Sequence, residues 1–502
     1  MRDLKELTGY DIITEEKIPE VNGTGYILSH KKTKARVLVI ANDDENKVFN
    51  IGFRTPPYDD SGIPHILEHS VLCGSRKYPV KDPFVELAKG SLNTFLNAMT
   101  YSDKTVYPIA SCNEKDFENL MDVYLDAVFY PNIYEHTEIM RQEGWHYELE
   151  TVEGELIYNG VVFNEMKGAF SSPEQQMYSK IEKLLLADTP YKNESGGDPA
   201  AIPTLSQERF LDFHRKYYHP SNSYIYLYGD LDMYKELDYI DKEYLSSFDY
   251  REIDSTIAVQ TAYEQMKDES CFYSIAENES EENQTFLTYN MVVGSSLDKK
   301  QSVAMNILEY AIMDAPGAPL KKALVDAGIG EDVFASFDDG IRQTIFSIVA
   351  RNANMSDKER FVSVIRDTLT DLSGHGEEGK AIDRTSIEAA INNFEFKHKE
   401  ANFGRFPKGL MMGLDAFNTW LYDDASALEM FKLNEVYDEL KESLKTGYFE
   451  ELIRKYLLEN PHGCIMTLVP KKGLAAQREK ELEEKLEAYR SSLSEEQLDA
   501  MV

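Results

Sequence analysis

The stretch His65-Ile-Leu-Glu-His-Ser-Val-Leu72 recurs in weaker form as Asn306-Ile-Leu-Glu-Tyr-Ala-Ile-Met313, and the two stretches are 241 residues apart. Two further pairs share this spacing, namely Lys167-Gly168 with Lys408-Gly409 and Pro220 with Pro461. Self-similarity at one fixed spacing indicates a duplicated structural unit. The sequence therefore predicts one domain that occurs twice.

Each copy has the pattern of a mixed domain. Residues 37–41 and 48–53 flank the turn-forming Asn42-Asp-Asp-Glu-Asn46 and are predicted to be a strand pair. Helical patterns cover residues 64–74, 114–128 and 161–187. Short connections favour antiparallel sheets with helices on one face. We expect an α+β fold of two homologous domains, each an antiparallel sheet packed with helices, followed by a charged C-terminal helix.

The expected domain boundaries follow from the repeat. The first copy is predicted to span residues 1–245, an irregular charged linker 246–265, the second copy 266–473 and the charged helix 474–502. The helix has alternating charges and places Leu482 and Leu486 one turn apart. Two interpretations of it stay open: a solvated terminal helix, or half of a helical hairpin that leads into further domains.

The composition excludes several classes of function. The chain has 502 residues, with 53 Lys+Arg against 88 Asp+Glu and a formal net charge of −35. Phosphate contacts require clustered Lys and Arg, so we expect no nucleic-acid or anionic-membrane partner. No apolar run approaches the roughly 18 to 20 residues that cross a bilayer, and the first residues do not resemble a signal peptide. Four dispersed cysteines are typical of a reducing compartment, so the expected location is cytoplasmic.

The most informative residues are His65, Glu68 and His69, which form the pattern H-x-x-E-H. Pro64 suits the first turn of a helix, and Asp60-Ser-Gly62 is expected to cap it. On a helix the two histidines face the same way and can reach one tetrahedral metal ion. Glu68 then lies where it can take a proton from a water molecule whose pKa zinc lowers to about 7. The pattern, the inverse of H-E-x-x-H, predicts a metal-dependent hydrolytic site.

Spacing does not select a third ligand, although a catalytic zinc usually has three protein ligands and one open position. His136 and His146 follow at irregular spacing, and His146 has aromatic neighbours that favour packing. Cys73 fits a small buried residue better than a ligand. Six carboxylates stay open on spacing alone: Glu86, Glu114, Glu118, Glu143, Glu148 and Glu165.

A second region is a candidate for substrate binding. Thr94-Phe-Leu-Asn-Ala-Met-Thr100 alternates side chains and precedes a strand-like segment that contains Pro108, a residue tolerated mainly near a sheet edge. An edge strand has free N–H and C=O groups with which an extended peptide can pair. The alternative is an internal strand.

Four motifs in order closely resemble the presequence-protease branch of the pitrilysin/insulinase family of inverted zinc metallopeptidases. They are His65-Ile-Leu-Glu-His-Ser-Val-Leu-Cys-Gly-Ser75, Gly90-Ser-Leu-Asn-Thr-Phe-Leu-Asn-Ala-Met-Thr100, Gln142-Glu-Gly-Trp-His-Tyr147 and Gly160-Val-Val-Phe-Asn-Glu-Met-Lys-Gly168. The resemblance implies one Zn²⁺ per chain on His65, His69 and Glu165, with Glu68 as the general base. It also implies that Asn97 and Ala98 pair with the substrate backbone, and we extend this substrate-binding segment to Phe95 and Leu96.

The resemblance implies a zinc-dependent endopeptidase that hydrolyses short, unstructured peptides. Enzymes of that branch are about twice as long as this chain. We therefore expect an N-terminal half that works with a C-terminal half or with a second subunit. The alternatives are a short two-domain processing-type peptidase that dimerises and a non-catalytic assembly subunit.

The repeat makes a separate functional prediction. At the shared spacing His65 becomes Asn306, His69 becomes Tyr310 and Glu165 becomes Phe406. Glu309, the counterpart of Glu68, is retained but has no ligand beside it. The second copy is therefore expected to be a degenerate, catalytically silent domain.

Overall fold

The computed structural model describes residues 2–81, 83–376 and 381–502 and shows an α+β protein. The strands of the first half are β1 (Tyr10–Ile18), β2 (Gly23–His30), β3 (Arg36–Ala41), β4 (Lys47–Arg54), β5 (Asn93–Leu96), β6 (Met99–Thr100), β7 (Lys104–Ser111), β8 (His146–Glu148), β9 (Ile157–Asn159) and β10 (Ser223–Gly229). Its helices are α1 (Ile63–Val71), α2 (Pro83–Gly90), α3 (Glu114–Phe129), α4 (Glu138–Glu143), α5 (Val161–Ala169), α6 (Pro173–Leu185), α7 (Gln207–Tyr217) and α8 (Met233–Glu243).

The second half is likewise built from strands and helices. Its strands are β11 (Lys267–Ile275), β12 (Thr285–Val292), β13 (Asp332–Asp338), β14 (Ile345–Ala353) and β15 (Gly463–Lys472). Its helices are α9 (Lys299–Glu309), α10 (Pro319–Asp326), α11 (Lys358–Leu372), α12 (Arg384–Glu400), α13 (Lys408–Trp420), α14 (Asn434–Ser443), α15 (Tyr448–Leu452), α16 (Leu474–Ser491) and α17 (Glu495–Met501).

The two large sheets have the same strand order over five strands. The first reads β3-β10-β4-β7-β5, extended by β1 and β2 at one edge and by β6 beside β7, and the second reads β11-β15-β12-β14-β13. In each, one pair is parallel (β3 with β10, β11 with β15) and the other pairs are antiparallel. The prediction of two homologous α+β domains is confirmed, and the parallel pair refines the expected antiparallel sheets.

Two local predictions were wrong. β3 and β4 do not pair with each other, because β10 lies between them, parallel to β3 and antiparallel to β4. β10 follows about 180 residues later in the chain, so the local sequence pattern around the turn could not predict its insertion. The helix expected over residues 161–187 is two helices, since Ser172 caps α6 and Pro173, which cannot continue a preceding helix, occupies its first turn.

The two halves exchange helices. α6 of the first half packs on the second sheet, where Met177, Ile181 and Leu185 join a buried cluster with residues of β12, β14 and β15. α13 of the second half packs on the first sheet, where Phe417 and Trp420 contact its tyrosine-rich face. Each sheet is thus covered by its own helices on one face and by a helix of the other half on the opposite face. The predicted boundaries at 245, 265 and 473 stay predictions.

The C-terminal segment packs on the β8–β9 hairpin of the first half. Leu486 of α16 is buried with Leu149 and Leu156, and the rings of Tyr489 and Tyr147 stack with their centroids 4.7 Å apart. α17 follows and adds Leu498 and Met501 to the same cluster. α16 and α17 therefore both pack through apolar residues on the same small cluster of the first half. Of the helices in the described ranges, none combines the length and apolar character needed to cross a bilayer.

Candidate metal centre and active site

The candidate catalytic helix, α1, begins within the stretch expected to cap it and has Pro64 in its first turn, but it lacks a side-chain cap. Gly62 occupies its N-cap position in a left-handed conformation (φ 70°), and no side chain caps the helix. Asp60, an expected cap, instead accepts hydrogen bonds from the side chain of Lys183 and the backbone N–H of Glu194. The residues before α1 therefore bind the loop at residues 193–198, and that loop lies against the first turn of the helix.

His65, His69 and Glu165 come together at the face of α1 towards α5. Glu165 Oε2 lies 3.7 Å from Nε2 of His65 and 3.6 Å from Nε2 of His69. One nitrogen from each histidine and one oxygen of Glu165 all lie within 4.8 Å of one another. The side chains of the two histidines are half-buried or more, whereas that of Glu165 is about half exposed. Three ligand atoms thus converge at a place that solvent can reach.

The other nitrogen of each histidine is engaged on the far side of its ring. His65 Nδ1 lies 3.1 Å from the carbonyl oxygen of Gly196, and His69 Nδ1 lies 3.4 Å from Oε2 of Glu143. These acceptors favour the tautomer with the proton on Nδ1, so both Nε2 atoms present lone pairs to the same space. Two imidazoles and one carboxylate are a donor set that fits Zn²⁺ with one position open.

Close backbone contact brings the carbonyl of Gly196 to His65. A Cβ atom on Gly62 would lie 2.7 Å from this carbonyl oxygen, and one on Gly197 (φ 101°) would lie 3.0 Å from Cα of Gly62. Glycine at both positions therefore permits the loop and the start of α1 to touch.

Glu68 is the buried acid beside this centre, with 9% of the residue exposed. Burial raises the pKa of its carboxyl group, while a hydrogen bond with the Thr100 side chain and the neighbouring histidines oppose that rise. A carboxylate with a raised pKa holds a transferred proton more readily than an exposed one. Glu68 is thus suited to take up and release a proton.

The electrostatics around His69 favour positive charge. Burial lowers the pKa of His69, but its hydrogen bond with Glu143 and the carboxylates of Glu68, Glu143 and Glu165 outweigh burial and raise it. For Glu143 burial acts in the opposite direction and raises the pKa, but the hydrogen bonds from His69, Gln142 and Cys73 outweigh burial and lower the pKa of this carboxyl group. A concentration of negative charge at this depth suits a bound cation.

The proposed substrate segment lies at a sheet edge beside Glu68. Phe95 and Leu96 end β5, and Asn97 and Ala98 occupy the break before β6. This break lies opposite Pro108 of β7, which has no N–H to donate. Asn97 is exposed, Ala98 is buried, and Tyr124 donates a hydrogen bond to the carbonyl oxygen of Asn97. β7 itself is internal, paired with β4 on its other side.

The remaining candidates lie elsewhere. His136 bonds Glu138, and His146 bonds the carbonyl of Arg141. Glu86 lies on α2, and Glu148 accepts a hydrogen bond from Asn159. Cys73 lies near Glu143 but outside the group of converging ligand atoms in the described part of the chain.

A second acidic cluster contains Glu114, Glu118 and Glu236, whose carboxylates also lie within 4.8 Å of one another. Lys235 pairs with both Glu114 and Glu118. Burial raises the pKa of Glu236 to about 7. This cluster is therefore an ion-pair network around a lysine.

The second half has different contacts at the equivalent positions. Asn306 donates to the carbonyl of Ser302 and to Asp339, and Tyr310 packs on Phe394. Phe406 packs on Phe95 of the first half with ring centroids 6.0 Å apart. Among the described residues, no converging group of metal-ligating side chains includes a residue of the second half.

Sequence reasoning missed three supporting contacts: the Gly196 carbonyl, the Thr100 hydroxyl and Glu143. Glu143 was one of six open carboxylates, with no signal to give it a role. The other two could not be found, because backbone carbonyls and hydroxyls of distant loops have no sequence pattern that marks such contacts.

Two models of protein families match parts of the chain. The family model described as Insulinase (Peptidase family M16) matches residues 48–179, and the model described as Peptidase M16 inactive domain matches residues 204–394. The first contains the residues of α1 and Glu165, and the second covers much of the half that lacks candidate ligands.

Relatives match the chain almost from end to end. Protein HypA of Clostridium perfringens is 49% identical over 495 residues, covering 99% of this chain and 50% of the relative. Presequence protease 1, chloroplastic/mitochondrial, of Arabidopsis thaliana is 40% identical over 505 residues, covering 99% of this chain and 46% of the relative. The chain thus spans about half the length of these curated relatives.

The fold also matches solved structures. The crystal structure of pitrilysin superposes with a TM-score of 0.61 at 17% sequence identity, covering 93% of this chain and 47% of that one. At this identity the match concerns the fold.

Proposed function

Because the chain belongs to the insulinase family of peptidases, M16, we propose that it is a zinc-dependent endopeptidase acting on short, unstructured peptides. The observation that carries the proposal is the convergence of His65, His69 and Glu165 within 4.8 Å, with the buried Glu68 beside them. A structural subunit has no need of a buried acid next to two imidazoles.

The ion would be held by Nε2 of His65, Nε2 of His69 and one oxygen of Glu165. When bound, zinc supplies Lewis-acid chemistry, polarising a carbonyl and making a water molecule easier to deprotonate. The chain itself supplies the alignment, since Gly196 and Glu143 hold the rings from behind.

Glu68 would move the proton. Its carboxylate accepts a proton from the attacking water and then donates it to the nitrogen of the leaving amine, so that the peptide C–N bond breaks and the carboxyl group is completed with no net change at Glu68. Burial supports this role, because it raises the pKa of the carboxyl group. The Thr100 bond restricts the direction in which the carboxylate points.

The peptide would lie along the edge formed by Phe95, Leu96, Asn97 and Ala98. Pairing with an edge strand contacts the main chain of the peptide, so it selects extended, unfolded segments with loose sequence preference. The contact between Thr100 and Glu68 joins this edge to the proposed base.

We propose that a second two-domain region completes the enzyme, either a C-terminal half or a separate subunit. Support comes from the length of the curated relatives, about twice that of this chain. Such a partner would cover the solvent-exposed side of Glu165 and contribute groups that stabilise the reacting carbonyl, each typically worth about 10² to 10³ in rate.

The test combines metal content and cleavage. The chain should bind one equivalent of zinc and cleave a fluorogenic unstructured peptide weakly by itself, and a chain equivalent to the second half of the longer relatives should raise that rate. Metal-free protein after zinc reconstitution would contradict the zinc proposal. Full activity of the chain alone would contradict the need for a partner but leave the zinc site standing.

A further inference from the structure

His69 lies between two carboxylates on different edges of its ring. Glu165 Oε2 is 3.6 Å from Nε2, on the side where the ligand atoms converge, and Glu143 Oε2 is 3.4 Å from Nδ1. The two ring nitrogens of an imidazole point in different directions. Glu143 therefore does not share the space that Nε2 faces, and it is absent from the converging group.

Glu143 is itself held in place. It is 7% exposed, and its Oε1 accepts a hydrogen bond of 2.8 Å from the side chain of Gln142, while Cys73 also bonds its carboxylate. α4, which ends at Glu143, packs on α1. The contact is close because Gly144 follows, where a Cβ atom would lie 3.0 Å from Ile66 of α1. Donors and packing thus fix the carboxylate on the far side of His69.

The two histidines differ in this support. His65 is held by the neutral carbonyl of Gly196, and His69 by the charged carboxylate of Glu143. A carboxylate behind a ligating histidine fixes its orientation and tautomer and makes the ring a stronger donor. The charge of Glu143 also lies close enough to attract a cation through the ring.

We propose that Glu143 is a positioning residue that orients Nε2 of His69 and strengthens metal binding at the centre. The inference rests on the proposed zinc function and extends it to a residue outside the ligand set. Loss of such a partner typically weakens metal binding by about 10- to 100-fold, much less than loss of a ligand.

The experiment uses the full chain with Glu143→Gln, Glu143→Ala and the matched control Glu138→Gln. Glu138 lies on the same short helix but is exposed, and its carboxylate bonds His136. Zinc affinity is measured by competition with a chelator. The visible spectrum of the Co²⁺-substituted protein reports ligand geometry independently of turnover, and thermal unfolding of the metal-free proteins reports folding.

We expect Glu143→Ala to weaken zinc binding by about 10- to 100-fold and to alter the Co²⁺ spectrum. Glu143→Gln keeps an acceptor oxygen and should lie between wild type and Glu143→Ala, and Glu138→Gln should match wild type. If Glu143→Ala fails to fold, the zinc affinity and Co²⁺ spectrum of Glu143→Gln test the inference instead. Zinc affinity and Co²⁺ spectra unchanged in a folded Glu143 variant would overturn the inference, whereas a wild-type chain that binds no metal would overturn the proposed function instead.

Discussion

The two halves of the molecule share a scaffold, but among the described residues only the first half brings candidate metal ligands together. Their sheets have the same five-strand order with the parallel pair in the same place, and α1 corresponds to α9 with its extension, a π-helical turn at Tyr310–Asp314. Yet the first half has His65, His69 and Glu165 where the second has Asn306, Tyr310 and Phe406. One fold thus carries two different sets of side chains within one chain, as expected when a candidate site consists of few side chains on a tolerant framework.

The supports of the site differ between the halves as well. The N-cap residue of α1 is Gly62, which lies against the loop that carries Gly196. The N-cap residue of α9 is Asp298, whose side chain caps that helix, and α9 has eleven residues where α1 has nine. Asn306 therefore lies far along its helix, while His65 lies in the first turn. Placing histidines at the equivalent positions of the second half would therefore not reproduce the contacts that Gly196 and Glu143 make with the rings in the first half.

The largest expected effect separates the two equivalent acids. Glu68→Gln should retain about one equivalent of zinc and lose about 10²- to 10⁴-fold in turnover, because the ligands remain while the proton acceptor is gone. Glu309→Gln should leave turnover unchanged. Peptide cleavage and metal content are measured in the assembly that gives wild-type activity. A metal-free Glu68→Gln protein would make Glu68 a ligand.

The next effect concerns the ligands. His69→Ala should lose metal, and Glu165→Ala should weaken zinc binding by well over the 10- to 100-fold expected for a residue behind the ligands. The double variant Asn306→His, Tyr310→His should still bind one zinc per chain, since Phe406 supplies no third ligand. Zinc stoichiometry by elemental analysis decides, and two tight sites in the double variant would refute the comparison.

Local patterns predicted much of the fold. The helix expected over residues 114–128 is α3, Glu114–Phe129, and the repeat spacing predicted two homologous domains. The insertion of β10 between β3 and β4 and the exchange of α6 and α13 were not predictable. They depend on contacts between segments far apart in sequence, whereas periodicity reports only which face of an element is apolar.

The candidate site likewise has a part that the sequence predicted and a part that it could not predict. Helical spacing alone predicted that His65, Glu68 and His69 share a site, because one turn separates the histidines. Glu165 was predicted only from the resemblance to the metallopeptidase family, because the number of residues between α1 and α5 does not determine how these helices pack. Glu143 and the carbonyl of Gly196 contact the Nδ1 atoms of His69 and His65. Any acceptor in a suitable position can make such a contact, so no residue pattern marks these two.

The exchanged helices provide the third test. Ile181 of α6 and Phe417 of α13 are at most 2% exposed, each against the sheet of the other half. Ile181→Ala should lower the free energy of unfolding by about 2 to 5 kcal/mol and Phe417→Ala by about 3 to 5 kcal/mol. Phe396→Ala, at a residue 64% exposed, is the control and should change little. Because each helix is shared, both variants should unfold in one transition, and two separated transitions would show that the halves are independent.

The smallest expected effect concerns Glu309, the counterpart of Glu68 in the second half. Burial and Asp314 raise the pKa of its carboxyl group to about 7. In the unfolded chain the pKa is near 4.5, so the folded state binds the extra proton between these values and stability falls as pH rises from about 4.5 to 7, then levels off. Glu309→Gln removes this loss and should stabilise the chain at pH 8 by about 1 kcal/mol, discounted for the partial exposure of the side chain, but not at pH 4.5. Denaturant unfolding at the two pH values measures the difference. Exposed Glu388→Gln on α12 is the control, and equal stability of Glu309→Gln and wild type at pH 8 would show that Glu309 carries no cost for the folded state.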